Sequence, residues 1–238
     1  MDIEPIAYFR SPLKEKFGIP RQSGVVPELA GRIEFTPAYR DKEALRGLEG
    51  FDYIWVIWGF SENVHGSPAP ADKTAFKATV RPPRLGGNRR VGVFASRSSF
   101  RPNSLGLSSM KVTGILSTAD GPVIEVSGGD LMDGTPVYDV KPYIPAYDSH
   151  PSARGGFTDI EQWKPLEVSF SGDADAQLEK VFGKGSEKEK KTIAAIVAQD
   201  PRPHYQDDPD KVYGMAYGPC QVRFRVNGDK AEITGIES

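Results

Sequence analysis

Apolar and β-branched runs, broken by glycine and proline, dominate the first two thirds of the chain. They cover Pro5 to Arg10, Gly31 to Phe35, Tyr53 to Phe60, Ala78 to Arg81, Val91 to Ala95, Leu107 to Leu116, Val123 to Val126 and Val137 to Tyr143. Such side chains pack well on a pleated surface, so each run predicts a strand. Phe51 to Phe60 is nearly all apolar and predicts a central strand. Its aromatics read as core, because they lack the interspersed positive charge of a base-stacking platform. Only Asp41 to Leu48 predicts a helix in this part, with Asp41 as N-cap and Gly47 near its end.

The pattern changes after Asp148. Ser149 to Gly156 reads as an exposed connection. Helical spacing follows over Asp173 to Phe182 and Ser186 to Gln199, the second carrying Ile193, Ile196 and Val197. Cys220 to Val226 and Lys230 to Ile236, joined by Asn227-Gly228-Asp229, predict a hairpin in which Asn-Gly suits a type I′ turn. The expected fold is mainly β: a β-barrel or strongly bent sheet over residues 1–148, then a smaller α+β domain over residues 149–238.

Composition narrows the function classes. With 238 residues, 38% of them hydrophobic, the chain can bury a sizeable core without help. Met1 to Pro5 is not a basic region leading into an apolar run, and no stretch approaches the roughly 18 apolar residues of a membrane span. A cytoplasmic protein is expected. Cys220 is the sole cysteine, which excludes an intramolecular disulfide and a Cys-rich zinc site, and its surroundings predict a small hydrophobe in a strand. His65, His150 and His204 are scattered without ligand spacing, so no metal is expected.

Charge is distributed unevenly. The formal net charge is only -2, yet between Lys73 and Met110 stand Lys73, Lys77, Arg81, Arg84, Arg89, Arg90, Arg97 and Arg101 with no acidic residue among them. Acids concentrate elsewhere, at Glu161, Glu167, Asp173, Asp175 and beyond, which disfavours indiscriminate coating of nucleic acid. The tract interleaves arginine with glycine, proline, Phe94 and Phe100. Lys and Arg displace condensed counterions from phosphates, and glycine lets backbone N–H groups approach an anion. A local anion or nucleic-acid face fits this stretch; charge alone fits a solvated face of a sheet as well.

Two further polar clusters follow. Gly128 to Pro145 contains Asp130, Asp133 and Asp139 among glycines. Carboxylates accept ribose hydroxyl bonds, so a nucleoside site is one reading, and ordinary turn residues are the other. Chelation is disfavoured because no histidine is near and the spacing is not that of an EF-hand. Gln199-Asp200-Pro201-Arg202-Pro203-His204-Tyr205 follows the second helix. Its prolines stop that helix and fix Asp200, Arg202 and Tyr205 relative to one another. Arg202 suits a phosphate or carboxylate, and Tyr205 a stacked base or a proton relay. A helix stop braced by an Arg–Asp pair is the plainer alternative.

Together these clusters and their order resemble the TrmO (TsaA-like) family of S-adenosylmethionine-dependent tRNA methyltransferases. The resemblance begins at Arg10-Ser11-Pro12 and Lys14 to Phe17 and continues through Pro20-Arg21-Gln22. It is densest over Arg81 to Leu107 and Asp130 to Pro145, and reappears at Gln199 to Pro203 with Tyr205. It implies a single-sheet β-barrel and a homodimer with the cofactor near the subunit interface. The absence of a Gly-x-Gly-x-x-Gly fingerprint agrees with a fold other than Rossmann. The implied reaction is methylation of N6 of N6-threonylcarbamoyladenosine at position 37, beside the anticodon of threonine tRNA. Implied cofactor contacts are Pro20, Arg21, Gln22, Arg97, Asp130, Leu131, Met132 and Asp133.

Three departures from the family pattern stand out. Ser61-Glu62 replaces His-Gln, Ser96 and Ser104 replace Thr and Pro, and Gly66 to Ala75 is an extra Pro- and Ala-rich stretch.

A sulfonium donor demands alignment above all. Arg97 or Arg21 suits the cofactor's carboxylate, and Arg81, Arg84, Arg89, Arg90 and Arg101 suit tRNA phosphates. The target nitrogen is conjugated to a carbonyl, so a base or relay is expected, with Asp200 or Tyr205 as candidate and Arg202 on the threonyl carboxylate. A non-catalytic RNA-binding barrel and a methyltransferase acting on a small molecule are the alternatives.

Overall fold

A computed structural model describes residues 3–60, 77–82, 89–159, 164–202 and 208–238. The alternating runs become β1 (Ala7–Arg10), β2 (Ala30–Phe35), β3 (Tyr53–Gly59), β4 (Thr79–Val80), β5 (Val91–Gly92), β6 (Leu105–Thr118), β7 (Gly121–Ser127) and β8 (Pro136–Pro142). β4 and β5 form a separate two-stranded ribbon. The other six pair antiparallel in the order β1-β2-β7-β6-β3-β8, and β8 returns to β1, so the sheet closes into a barrel. Closure satisfies the edges that an open sheet leaves exposed.

Alternation sets the two faces of this sheet. Phe9, Ile33, Ile54, Val56, Met110, Ile124 and Val137 fill the interior. Arg10 lies outside, paired with Glu34 at 2.8 Å. Gly31 permits close packing: a Cβ there would lie 2.2 Å from Phe9 Cζ.

The stretch from Asp41 to Leu48 is not the expected α-helix. It forms short 3-10 turns at Lys42–Leu45 and Leu48–Gly50, separated by Gly47 at φ 87°. The Asp41 carboxylate does accept the Glu43 N–H, at 2.9 Å. Leu45 is the buried side chain of these turns, so little packing is available to offset helix nucleation.

After α1 (Pro145–Asp148) comes a second layer: β9 (Glu167–Phe170), α2 (Gly172–Phe182), α3 (Ser186–Val197), β10 (Tyr213–Tyr217), β11 (Cys220–Asn227) and β12 (Lys230–Glu237). The strands run in the order β10-β11-β12-β9, with β9 parallel to β12. Leu178, Ile193 and Ile196 of the helices pack on Met215, Val222, Phe224 and Ile233 of the sheet. The β11–β12 turn differs from the expected type I′. Asn227 pairs with Lys230, so Gly228-Asp229 makes the loop, and of these two only Gly228 has positive φ, at 59°. A glycine at the first central position is the II′ arrangement.

The connection from Ser11 to Leu29 joins the two cores. Leu13, Val26 and Leu29 belong to the second core, with Phe17 and Ile19 packed against it. Its backbone is fastened there as well: the Gly218 N–H donates to the Pro12 carbonyl at 2.7 Å, and the Ala216 N–H to Glu15 Oε1 at 2.9 Å.

Candidate functional site

Four segments singled out in the sequence converge on one cleft of about 400 Å³. The connection contributes Lys16 and Ile19, and the end of β3 contributes Trp58, Gly59 and Phe60. Ser99 and Phe100 come from the basic tract, and Asp130, Leu131, Met132 and Thr135 from the turn before β8. Trp58 and Phe60 meet edge to face at 4.3 Å, which makes one wall aromatic. These two aromatics were expected in the core. Trp58 is indeed buried, yet it also borders the cleft.

Among the described residues, Asp130 is the carboxylate of this cleft. Ser108 Oγ donates to its Oδ1 at 2.6 Å, and Trp58 Nε1 donates to Ser108 Oγ at 3.0 Å. Burial raises the Asp130 pKa; the Ser108 hydroxyl, the backbone N–H groups of Asp130 and Ser23, and the charge of Arg97 oppose that rise. Ser108 was not foreseen. Its signal is a hydroxyl at an interior position of β6, two residues before the buried Met110.

Side chains link the cleft to the C-terminal motif. Arg97 Nη1 donates to Gln22 Oε1 at 2.5 Å, Gln22 Nε2 to the Arg21 carbonyl at 2.6 Å, and Arg21 Nη2 to the Asp200 carbonyl at 3.3 Å. Pro20 beside them is buried. Of the residues that the resemblance groups as cofactor contacts, Arg21, Gln22 and Arg97 are thus joined by hydrogen bonds. The Asp133 carboxylate accepts the Ser11 N–H at 3.1 Å and its own N–H donates to the Leu13 carbonyl at 2.8 Å, which fastens the start of the connection.

Asp200 does not have the geometry of a free base. Its Oδ1 accepts from Arg202 Nε at 2.8 Å and its Oδ2 from Arg202 Nη2 at 3.0 Å, a two-pronged ion pair. Both of its oxygens are thereby committed to one guanidinium. Arg202 is only 8% exposed, and the bond to Asp200 raises its pKa. Its burial argues against the expected contact with a substrate carboxylate. Tyr205 and Arg84, along with Ser61-Glu62 and Gly66 to Ala75, lie outside the described residues.

The basic tract divides by role. Arg81, Arg89, Arg90 and Arg97 are exposed, and Arg90 Nη1 reaches Thr79 Oγ1 at 3.0 Å across the β4–β5 ribbon. Arg101 turns back, donating to the carbonyls of Ser96 and Ser98 at 3.1 and 3.3 Å, so it braces its own turn rather than presenting a free fork to phosphate. Ser96 holds the same turn by donating to the Val93 carbonyl at 2.9 Å. Phe94 and Phe100 stand 73% and 66% exposed beside these cations, an arrangement that suits stacked bases.

Cys220 is buried, its thiol pushed up to about 11 by burial, which leaves it unreactive. Among the described residues no group of three or more His, Cys, Asp or Glu is placed to hold a metal, and no helix is long and apolar enough to cross a membrane.

Residues 8–149 match the tRNA-methyltransferase O N-terminal domain, and residues 163–238 match the TrmO C-terminal domain. The chain belongs to the tRNA-methyltransferase O family. It is 37% identical over 236 residues to the tRNA (adenine(37)-N6)-methyltransferase of Escherichia coli K12, covering 98% of this chain and 97% of that one. A putative S-adenosylmethionine-dependent methyltransferase of Pseudomonas aeruginosa is 38% identical over 90% of this chain and 87% of its own. A crystal structure of TrmO superposes with a TM-score of 0.77 at 30% identity, over 100% of this chain and 99% of that one. This TrmO-family chain is thus an enzyme of the methyltransferase class; its cleft is lined by residues of the N-terminal matched domain, and the Arg21–Asp200 bond ties that domain to the C-terminal one.

Proposed function

We propose that this chain methylates N6 of N6-threonylcarbamoyladenosine at position 37 of threonine tRNA, using S-adenosylmethionine. The observation that carries the reading is a cleft lined by an aromatic wall and the Asp130 carboxylate, with Arg97, bonded to Gln22, close enough for its charge to act on Asp130. That donor set fits the cofactor's chemistry: a carboxylate for its cationic centre, a guanidinium for its carboxylate and aromatic faces for its base. Bound there, S-adenosylmethionine supplies an electrophilic methyl group. Pro20, Arg21, Gln22, Arg97 and the loop from Asp130 to Asp133 hold it, and Arg81, Arg84, Arg89 and Arg90 contact the anticodon stem-loop phosphates. The Asp200–Arg202 pair keeps the C-terminal motif seated against Arg21.

The protein works as a cytoplasmic homodimer in this reading. Support comes from an apolar strip on the outer face of the barrel: Tyr53, Trp55 and Tyr143 form an aromatic cluster with ring separations of 5.5 and 6.3 Å, and Leu107 and Tyr147 are exposed. Exposed patches of this kind mark association surfaces.

The deciding experiment incubates the protein with S-adenosylmethionine and tRNA carrying the modified adenosine, then weighs the digested nucleosides. A gain of one methyl on N6-threonylcarbamoyladenosine is expected; unchanged nucleoside with demonstrable cofactor binding rejects the substrate. A cofactor-dependent rise in melting temperature separates an enzyme from a bare RNA-binding barrel, since a ligand that binds only the folded state stabilises it. For the tract, Arg89→Gln and Arg90→Gln each weaken tRNA binding and lower the slope of log K against log salt by about 1 if each residue meets a phosphate. An unchanged slope removes that residue from the interface.

A further inference from the structure

Among the described residues, Asp130 is the carboxylate that lines the cleft, and its hydrogen-bond chain has a fixed direction. An indole N–H can only donate, so Ser108 Oγ accepts from Trp58 and its single proton goes to Asp130 Oδ1. Ser108 and Trp58 are 2% and 8% exposed, which shields this chain from water. Oδ1 therefore accepts from Ser108, and the carboxylate also accepts from the backbone N–H groups of Asp130 and Ser23. The charge that acts on it is that of Arg97 from the basic tract, and the backbone N–H groups of Asp130 and Ser23 favour the ionised form as well; Lys16 from the connection lines the same cleft.

We propose that Asp130 is the general base of methyl transfer, taking the N6 proton on its carboxylate, and that Ser108, held by Trp58, is the residue that positions that carboxylate. The inference rests on the functional reading above and replaces Asp200, whose oxygens both serve Arg202. In the step, the N6–C bond forms as the methyl C–S bond breaks with its electron pair left on sulfur, while N6 keeps the N–H pair and the proton passes to Asp130. A sulfonium and a carboxylate thereby become a neutral sulfide and a neutral acid, which relieves the cost of two partly desolvated charges. Burial already raises the proton affinity of Asp130 above that of an ordinary carboxylate, as a base near neutral pH requires.

The test compares wild type, Asp130→Asn and Ser108→Ala in single turnovers from pH 5 to 9 at saturating cofactor, with cofactor binding measured separately by calorimetry. Asp130→Asn is expected to lose about 100-fold or more in rate even at saturation. Ser108→Ala is expected to stay active with the acidic limb of its rate profile moved to higher pH, because the lost hydroxyl favoured the ionised form. A merely structural serine leaves that limb in place, so an unmoved limb overturns the proposal, and this holds even if Asp130→Asn fails to fold. Recovery of the Asp130→Asn rate at saturating cofactor leaves Asp130 with cofactor binding alone and also overturns the proposal. A wild type that binds cofactor but leaves the modified tRNA unchanged overturns the functional reading and this inference together; a wild type that methylates while Asp130→Asn matches it overturns the inference alone.

Discussion

Asp200→Ala is expected to lower the unfolding free energy by about 3–5 kcal/mol, because it strands a buried guanidinium without its partner. Arg202 is left with a side chain only 9% exposed and neither of its two carboxylate bonds. Among the described residues, the Tyr213 hydroxyl is the group besides Asp200 that interacts with the Arg202 guanidinium, so the site has little capacity to absorb another loss. The double variant Asp200→Ala with Arg202→Met should recover most of the stability, since removing both charges removes the desolvation cost as well. Urea unfolding of the two single variants and the double variant reads this directly. A double variant as unstable as the singles would mean that the turn's backbone, with Asp200 at φ 47°, and not the charge pair, sets the stability.

Leu13→Ala should cost about 2–5 kcal/mol and also weaken cofactor binding. Leu13 is fully buried, yet its packing partners belong to the second core while its chain neighbours lead into the first. Truncating it leaves a cavity at the point where the connection is anchored, only a few residues before Arg21 and Gln22. Loss of cofactor-induced thermal stabilisation beyond the loss of intrinsic stability is the expected signature. Destabilisation with cofactor affinity unchanged would show that Arg21 and Gln22 are held by their own bonds to Asp200 and Arg97.

The strands of the barrel were readable because each depends on a local period that the residues display directly. β9 and β10 were not read: β9 is four residues with half-exposed sides, and β10 carries Gly214 within Tyr-Gly-Met-Ala-Tyr. Their pairing with β12 and β11 makes them strands, and that pairing is invisible one segment at a time. The stretch after Asp41 failed in the opposite sense, since a good cap and good helix formers do not make an α-helix without an apolar face to bury. At the site, the basic tract, the aspartate loop and Pro20-Arg21-Gln22 were legible as motifs. The roles of Asp200, Arg202 and Arg101 were not, because residue type states what a side chain can bond and only its neighbours state what it does bond.

By itself the sequence determined the mainly β character of the first part, the acid-free basic tract, the order of the motifs and through them the family. The tertiary structure decided the rest: the return of β8 to β1, the anchoring of the Ser11 to Leu29 connection in the second core, and the Trp58–Ser108–Asp130 chain. The physical reason is range. Periodicity and turn chemistry act over a few residues, whereas Trp58 and Ser108 are 50 residues apart, Gln22 and Arg97 75, and Arg21 and Asp200 179. Contacts of that separation exist only once both cores have closed around them.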